Sequence, residues 1–490
     1  MKLSPRSLYA LIRRPSVTLA VGLGLSGAAG SAFLAIINAS FPKGSDGSSS
    51  VLALSGLNFL LATIVTGMMA GSEQEMARQV TKAVALGIDP TQVVQRQARH
   101  AGWLIGGTML ATCALSPLLV AKSLGHNWVL FGELLIGLIG GLSIFPIRGV
   151  LTGRRDYPLF SATLIVEGLT RLIPSFLILI LGLSSVWLYG LVFALGGPTL
   201  AAVFGVLAPR LTGRDVYRLE GPSATHSVGH DVPTGIEVEF AAGTQAVEPD
   251  NESPTALEQG GTRLTLLTAA SLANQLLFNA IPLLVVMRYG GDKAIADRTS
   301  AVNSAVGLTR LGILILVPLQ APLLPRLTAA AVHRRYSEVR QRTRVLTGLC
   351  AGVGVFSALC CLLVGPFVLQ HVMRAHATLP GYYLATLALG TAFIMVGMII
   401  QSTLLAIERH FVVLIAWTAG VVATVPVFLI GHSLLATTGV AAIVGPFVAM
   451  VIMGFDAWLH TRGADGVPPQ PTAPQSSNGL AEPTPTPTSR

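Results

Sequence analysis

The chain is 490 residues long, 52% hydrophobic and only 11% charged, against about 25% charged in an ordinary soluble domain. That composition excludes a soluble globular protein and puts most of the chain in lipid. The formal charge of +9 falls mainly between apolar runs, so it reads as a topogenic signal and needs no nucleic acid to explain it.

Apolar runs of about 20 residues recur along the sequence, each long enough to cross about 30 Å of hydrocarbon as a helix, without the every-second-residue alternation of a barrel strand. The first, 17–38, follows Lys2, Arg6, Arg13 and Arg14. It is longer than a signal-peptide core and is expected to remain as an uncleaved first span. Five more follow at 51–71, 101–121, 128–147, 159–181 and 186–208. A second set of six is expected at 264–287, 299–324, 345–368, 382–407, 411–430 and 434–458.

The predicted fold class is therefore an all-α polytopic membrane protein of about 12 transmembrane helices in two six-helix bundles. The expected organisation is a cytoplasmic N-terminus 1–16, an N-terminal bundle 17–208, a cytoplasmic linker 209–263, a C-terminal bundle 264–459 and a cytoplasmic tail 460–490. Residues 220–261 carry eight acids and no Lys or Arg, which predicts disorder in the linker. The Pro/Ser/Thr-rich end from Gly466 predicts a disordered tail. The stretch 73–100, charged and interrupted by Gly87 and Pro90, reads as an amphipathic helix lying on the cytoplasmic face.

Charge tests this map. With the N-terminus inside, 24 of the 32 Lys and Arg residues fall in cytoplasmic segments, 6 in outer loops and 2 within spans, as the positive-inside rule requires. The expected location is a bacterial plasma membrane with both termini cytoplasmic. Two six-span halves enter the membrane in the same direction, as in transporters built from parallel repeats. Arg148-Gly-Val-Leu-Thr-Gly-Arg-Arg-Asp-Tyr157, between spans four and five, corresponds in position to Ser402-Thr-Leu-Leu-Ala-Ile-Glu-Arg-His-Phe411, between spans ten and eleven.

The two basic residues inside spans are Arg171 and Arg310. A charge at mid-membrane costs about 2.5 to 3.5 kcal/mol or more and persists mainly where it meets a partner, a cavity or a substrate. Arg171 has Glu167 one turn earlier, so a structural ion pair competes with a substrate-facing role. Arg310 has no acid in its span and is the stronger candidate for a cavity that binds an anionic headgroup. Asn274, Gln275 and Asn279 form a polar group on span seven that either lines a cavity or bonds to other helices. Glu133, close to the outer surface, is a candidate for ion or proton coupling. Gln320 and Gln401 are weaker polar candidates.

No catalytic residue, cofactor or metal site is expected. The sequence contains no phosphate-binding G-x-x-x-x-G-K-[ST], no nucleophile elbow and no His-Glu-x-x-His. Cys113, Cys350, Cys360 and Cys361 all lie in apolar runs without metal-ligand spacing.

At Glu167-Gly-Leu-Thr-Arg171, Leu319-Gln-Ala-Pro-Leu-Leu-Pro-Arg-Leu327, Gly71-Ser-Glu-Gln-Glu-Met-Ala-Arg78 and Arg148-Gly-Val-Leu-Thr-Gly153 the chain resembles actinobacterial-type polysaccharide biosynthesis proteins. These are similar to O-antigen flippases of the multidrug/oligosaccharidyl-lipid/polysaccharide (MOP) superfamily. The resemblance implies alternating access between two bundles and a polyprenyl-diphosphate-linked saccharide as substrate, with membrane lipids and polysaccharide polymerases or glycosyltransferases as partners. It also admits a lipid II flippase or a multidrug or ion antiporter. The chain lacks the extra C-terminal spans and the cation in span one of the former, and the acid in span one of the latter. From a different class, a membrane-embedded glycosyltransferase or polymerase, or a non-transporting scaffold, is the alternative.

Overall fold

The computed structural model describes residues 15–85, 89–154, 156–211, 255–313, 327, 330–331 and 335–462. Lipid offers no partner for backbone N–H and C=O groups, so each apolar run satisfies its own by becoming helical. In chain order the helices are α1 (Pro15–Ser40), α2 (Ser45–Ala85), α3 (Thr91–Ala114 and Ser116–Lys122), α4 (Trp128–Gly153), α5 (Tyr157–Ile180) and α6 (Val186–Leu191, a π-helical Val192–Thr199, and Leu200–Leu211). Then come α7 (Thr255–Phe278 and Ala280–Tyr289), α8 (Ala296–Thr309), α9 (Tyr336–Leu363), α10 (Gly381–Ala406), α11 (His410–Ile430) and α12 (Leu434–Arg462).

Polar residues punctuate this array. The Asn127 side chain accepts from the N–H groups of Val129 and Leu130 and starts α4, and the Asp156 carboxylate accepts from Leu159 N–H and starts α5. Both satisfy donors that the first helical turn leaves free.

Among the described residues, nine helices are each long and apolar enough to span a membrane, and eleven do so when the two bent pairs count as one span each. The described part of α8 is 14 residues long, about 21 Å by helical rise. Most of the remainder of the expected span 299–324 lies outside the described residues, as do Gln320, almost all of the Leu319–Leu327 motif, linker residues 212–254 and the tail from 463. The chain is a multi-pass, all-α membrane protein with about twelve helices in two six-helix bundles.

Two local expectations change. The stretch 73–100 is not a separate interfacial helix. Helix α2 continues to Ala85 and α3 starts at Thr91; α2, at 41 residues or about 60 Å by helical rise, is longer than a hydrocarbon core is thick, and in its last third Glu75 and Arg78 pair at 2.8 Å. Helix α7 likewise starts at Thr255, inside the expected linker, as a continuation of the seventh span.

The first bundle is built on α1 against α5 and α2 against α4; the second on α10 against α9 and α12, with α11 between α7 and α12. Helix α2 crosses the boundary and lies antiparallel to α7. Glycines permit this approach: a Cβ at Gly67 would stand 2.8 Å from Leu272 Cδ1, and one at Gly71 3.1 Å from Thr268, and small residues let membrane helices come this close.

The turns divide between two faces. The α2–α3, α4–α5 and α10–α11 turns and the ends of α6 and α12 form the basic face, and the α1–α2, α3–α4, α7–α8 and α9–α10 connections form the far face. Towards the far face the two bundles share one continuous core, in which Phe33, Ile37 and Leu57 join Leu283, Ala301 and Leu384. Towards the basic face the cores are separate: Met76, Val80 and Leu151 in the first half, Val339, Met395, Trp417 and Met453 in the second. The bundles thus share a core at the far face and, apart from the α2–α7 contact, pack separately at the basic face.

Candidate substrate-binding cavity

The site begins with a broken helix. At Asn279, whose backbone turns to φ −101° and ψ 9°, α7 bends by 57°. Asn279 N–H still bonds to the Gln275 carbonyl at 2.9 Å, but the break exposes the Phe278 carbonyl and concentrates the negative end of that half-helix at one point.

Arg310 occupies this point. It follows the last residue of α8, donates from Nη1 to Asn279 Oδ1 at 2.9 Å and from Nη2 to the Phe278 carbonyl. Its guanidinium carbon lies 3.9 Å from the Phe278 ring centre and 5.5 Å from that of Phe59 on α2. The positive charge is therefore met by a helix end, an amide and two aromatic faces, with no carboxylate among its described contacts. Guanidinium has five N–H donors, and these two bonds employ only part of them. Phe59 belongs to the first half, so Arg310 stands at the boundary between the bundles.

Beside it is a cavity of about 20 Å³ lined by Leu277, Ile281, Thr309, Arg310, Thr391 and Thr424 among other residues of the second half. That volume holds about one water. A larger ligand enters only when the helices move apart.

In the first half three charges form a chain. Glu167 on α5 accepts from Arg148 Nη2 at 2.7 Å and from Arg171 Nη2 at 3.3 Å, and Arg148 Nε reaches Thr163 Oγ1 at 3.1 Å. Glu73 of α2 lies within Coulombic reach of Arg148. Arg171 packs 4.3 Å from the Phe193 ring centre. The local backbone permits this: Gly196-Gly197-Pro198 lies in the π-helical segment of α6, and a Cβ on Gly197 would stand 2.6 Å from Arg171 Nη2.

The named contacts of Arg171 all lie in the first half, and the Arg310 cavity does not include it. The two arginines thus occupy separate clusters. Arg148 escaped sequence reasoning because hydropathy ends the fourth span at Ile147 and assigns the next residue to a loop, whereas α4 runs to Gly153 and buries Arg148.

The polar residues of α7 diverge. Asn279 serves Arg310, Asn274 Nδ2 donates to Gln401 Oε1 at 3.4 Å, and Gln275 lies against Gly67 of α2. Gln401 Oε1 also accepts from Trp417 Nε1 at 2.8 Å, so it acts as an interhelical acceptor. Glu133 is buried on α4, with its Oε2 lacking a hydrogen-bond partner, and faces Gly190 of α6. Among the described residues no group of three or more His, Cys, Asp or Glu side chains is placed to hold a metal ion.

No family model matches the chain. It is 24% identical over 394 residues, 79% of its length, to uncharacterised proteins of Mycobacterium bovis and Mycobacterium tuberculosis, in each of which the match covers 80%. Among solved structures it is similar to the inward-facing conformation of a multidrug resistance MATE family transporter of the MOP superfamily, with a TM-score of 0.61, 14% identity and coverage of 88% of this chain and 94% of the other. The outward-facing conformation of a MATE family transporter gives 0.56, 16%, 92% and 97%. A MOP superfamily transporter of Pyrococcus furiosus, described as having a binding pocket of reverse polarity that suggests a different function, gives 0.61, 13%, 94% and 99%. The similarity extends over nearly the whole of each chain, and the chain has the fold of the MATE transporters of the MOP superfamily.

Proposed function

We propose that the chain moves a lipid-linked saccharide, carried on a polyprenyl diphosphate, from the cytoplasmic to the outer leaflet of a bacterial plasma membrane by alternating access between its two bundles. The observation that carries this reading is Arg310: an arginine at the bundle boundary, held by a broken helix end and an amide instead of a carboxylate. A guanidinium with no acid among its described contacts suits a diphosphate, which it can grip through paired charge-assisted hydrogen bonds.

In this mechanism the basic face opens first, because there the bundles already have separate cores. The diphosphate binds Arg310. Asn279 and the cavity threonines contact sugar hydroxyls, and the polyprenyl chain stays in lipid between the bundles. Rocking then exposes the headgroup at the far face. The Arg148–Glu167–Arg171 chain, with Glu73 beside Arg148, places two guanidiniums in the first half that help draw the anion inward. Glu133 remains a candidate for coupling. Membrane lipids, and a polymerase or glycosyltransferases acting before and after transport, complete the expected partners.

A cationic centre argues against a multidrug antiporter for cations, which requires acidic groups in the pocket. The Pyrococcus neighbour has the same fold and a pocket described as reversed in polarity, so pocket charge differs among chains of this architecture. The test is translocation of a fluorescent polyprenyl-diphosphate saccharide in proteoliposomes. Wild type should move it and Arg310→Ala should lose most of that activity. Equal rates would overturn the role of Arg310, and elongation or cleavage of the saccharide by wild type would place the chain among enzymes.

A further inference from the structure

At the far face a chain of buried polar groups crosses between the bundles. Asn38, at the end of α1, donates from Nδ2 to Ser304 Oγ of α8 at 2.8 Å and to the Met373 carbonyl, past the end of α9, at 2.9 Å. Its own carbonyl faces His376 Nε2 at 3.1 Å. The other ring nitrogen, Nδ1, is 2.6 Å from Ser48 Oγ on α2. Ser48 Oγ in turn donates to the Asp297 carboxylate of α8, which also accepts from Gly44 N–H at 3.2 Å. Asn38, Ser48 and His376 are each less than 8% exposed.

Proton counting decides what this chain can be. The Asn38 carbonyl only accepts, so His376 Nε2 must donate to it. In a neutral ring Nδ1 is then an acceptor, and the single Ser48 hydroxyl proton faces two acceptors, Nδ1 and Asp297. One of the two short contacts would bring lone pairs together. With Asp297 ionised, as its acceptance from both Gly44 N–H and Ser48 fits, a His376 that carries both protons satisfies every contact: Nδ1–H donates to Ser48 Oγ, Ser48 donates to Asp297, and Nε2–H donates to Asn38.

The geometry points to His376 as a proton-binding site whose imidazolium, joined through Ser48 to Asp297, latches the two bundles together at the far face; loss of that proton frees the face to open. The inference rests on the alternating-access part of the proposed function and not on the saccharide. Charged groups on the segments meeting here are Asp297 and Arg298 of α8, Lys43 and Asp46 near the start of α2, Lys293 ahead of α8, and Arg374 two residues before His376. Asp297 is the acid connected to the ring. Asp46 is engaged with Lys293 at 3.3 Å on the exposed rim. Histidine is the side chain whose charge ordinarily changes between about pH 5 and 8, which sets the range over which the latch is tested. The proton comes from water at the far face and goes to Nδ1; no other group changes its bonding.

The experiment places spin labels at Lys43→Cys and Thr378→Cys, both exposed positions in opposite halves, after Cys113, Cys350, Cys360 and Cys361 are each replaced by Ala. Distances are measured in liposomes between pH 5.5 and 8.5. A single short population is expected at low pH, with a second, longer population growing as pH rises. His376→Gln should abolish the pH dependence. Asp297→Asn should move its midpoint down by about a pH unit, because the imidazolium loses its counter-charge. Glu133→Gln, at the other candidate proton site, should leave it in place. A wild-type distance that ignores pH overturns the latch, as does pH dependence that survives His376→Gln, disappears in Glu133→Gln or keeps its midpoint in Asp297→Asn. If labels respond as expected but no saccharide is moved, the latch stands and the substrate assignment fails.

Discussion

Glu167 lies between two arginines, 2.7 Å from Arg148 Nη2 and 3.3 Å from Arg171 Nη2, so one carboxylate neutralises cations from two helices. Removing it has a different consequence from removing either arginine. Glu167→Gln leaves two like charges facing each other in low dielectric, whereas Arg171→Gln leaves the shorter Arg148–Glu167 pair intact. Breaking a buried pair by deleting one partner costs about 3–5 kcal/mol. Thermal unfolding in detergent should therefore rank wild type above Arg171→Gln and Arg171→Gln well above Glu167→Gln. The double change Glu167→Gln/Arg171→Gln should lie between the single changes, since Arg148 then keeps only Thr163 and the nearby Glu73 and no second cation faces it. Equal melting temperatures for the two single variants would contradict the shared carboxylate.

The π-helical segment of α6 supports the same cluster by sterics. A Cβ at Gly197 would stand 2.6 Å from Arg171 Nη2 and 3.1 Å from Nε, so Gly197→Ala must push the guanidinium off Phe193. Overpacking of this kind costs about 1–3 kcal/mol. The predicted drop in unfolding temperature should shrink in Gly197→Ala/Arg171→Gln, because the shorter side chain vacates the space. Strict additivity of the two losses would show that the contact is not the cause.

The membrane architecture was largely legible, because lipid requires about 20 apolar residues per span and closes off non-helical solutions. Arg310 was legible for the same reason: a charge inside a span with no acid beside it calls for an explanation. What Arg310 meets was not. The break at Asn279 has a local cause in Pro282, which has no N–H for the Phe278 carbonyl, but which side chain takes up that carbonyl is decided by tertiary packing, and local sequence presented Asn274, Gln275 and Asn279 as one polar group when they serve three different neighbours. Arg148 looked like a loop residue because hydropathy falls before the helix does. His376 gave no signal at all, since its partners Ser48 and Asn38 are more than 300 residues away in the chain.

Orientation remains a prediction from charge. The far-face segments hold 6 Lys and Arg residues, Lys43, Lys122, Arg288, Lys293, Arg298 and Arg374, against 24 in the segments expected on the basic face, which puts the far face outside the cell. Cysteines introduced at Gly44 and at Arg374 should react with a membrane-impermeant maleimide in intact cells. A cysteine at Arg409, between α10 and α11, should react only after permeabilisation. Labelling of Arg409→Cys in intact cells would invert the map.

The Arg310 side chain makes a prediction about shape as well as charge. Its Nη1 and Nη2 bond to Asn279 Oδ1 and the Phe278 carbonyl, and its plane lies over the Phe278 ring. Lysine has the charge but neither the fork nor the flat face, and one ammonium cannot hold the helix end and a diphosphate together in the same way. Transport of a lipid-linked saccharide should therefore fall in the order wild type, Arg310→Lys, Arg310→Ala. If a bidentate grip contributes about 1.5–3 kcal/mol per charged hydrogen bond, the Ala variant should lose at least about tenfold in rate at limiting substrate. Asn279→Ala provides the separation of roles: it removes one anchor of the guanidinium without removing charge. It should raise the substrate concentration needed for half-maximal transport more than it lowers the maximal rate. Loss of folding explains none of these if all three variants elute as monodisperse protein with wild-type helix content. An Arg310→Lys variant with full activity would reduce the site to a point charge and remove the argument for bidentate recognition of a diphosphate.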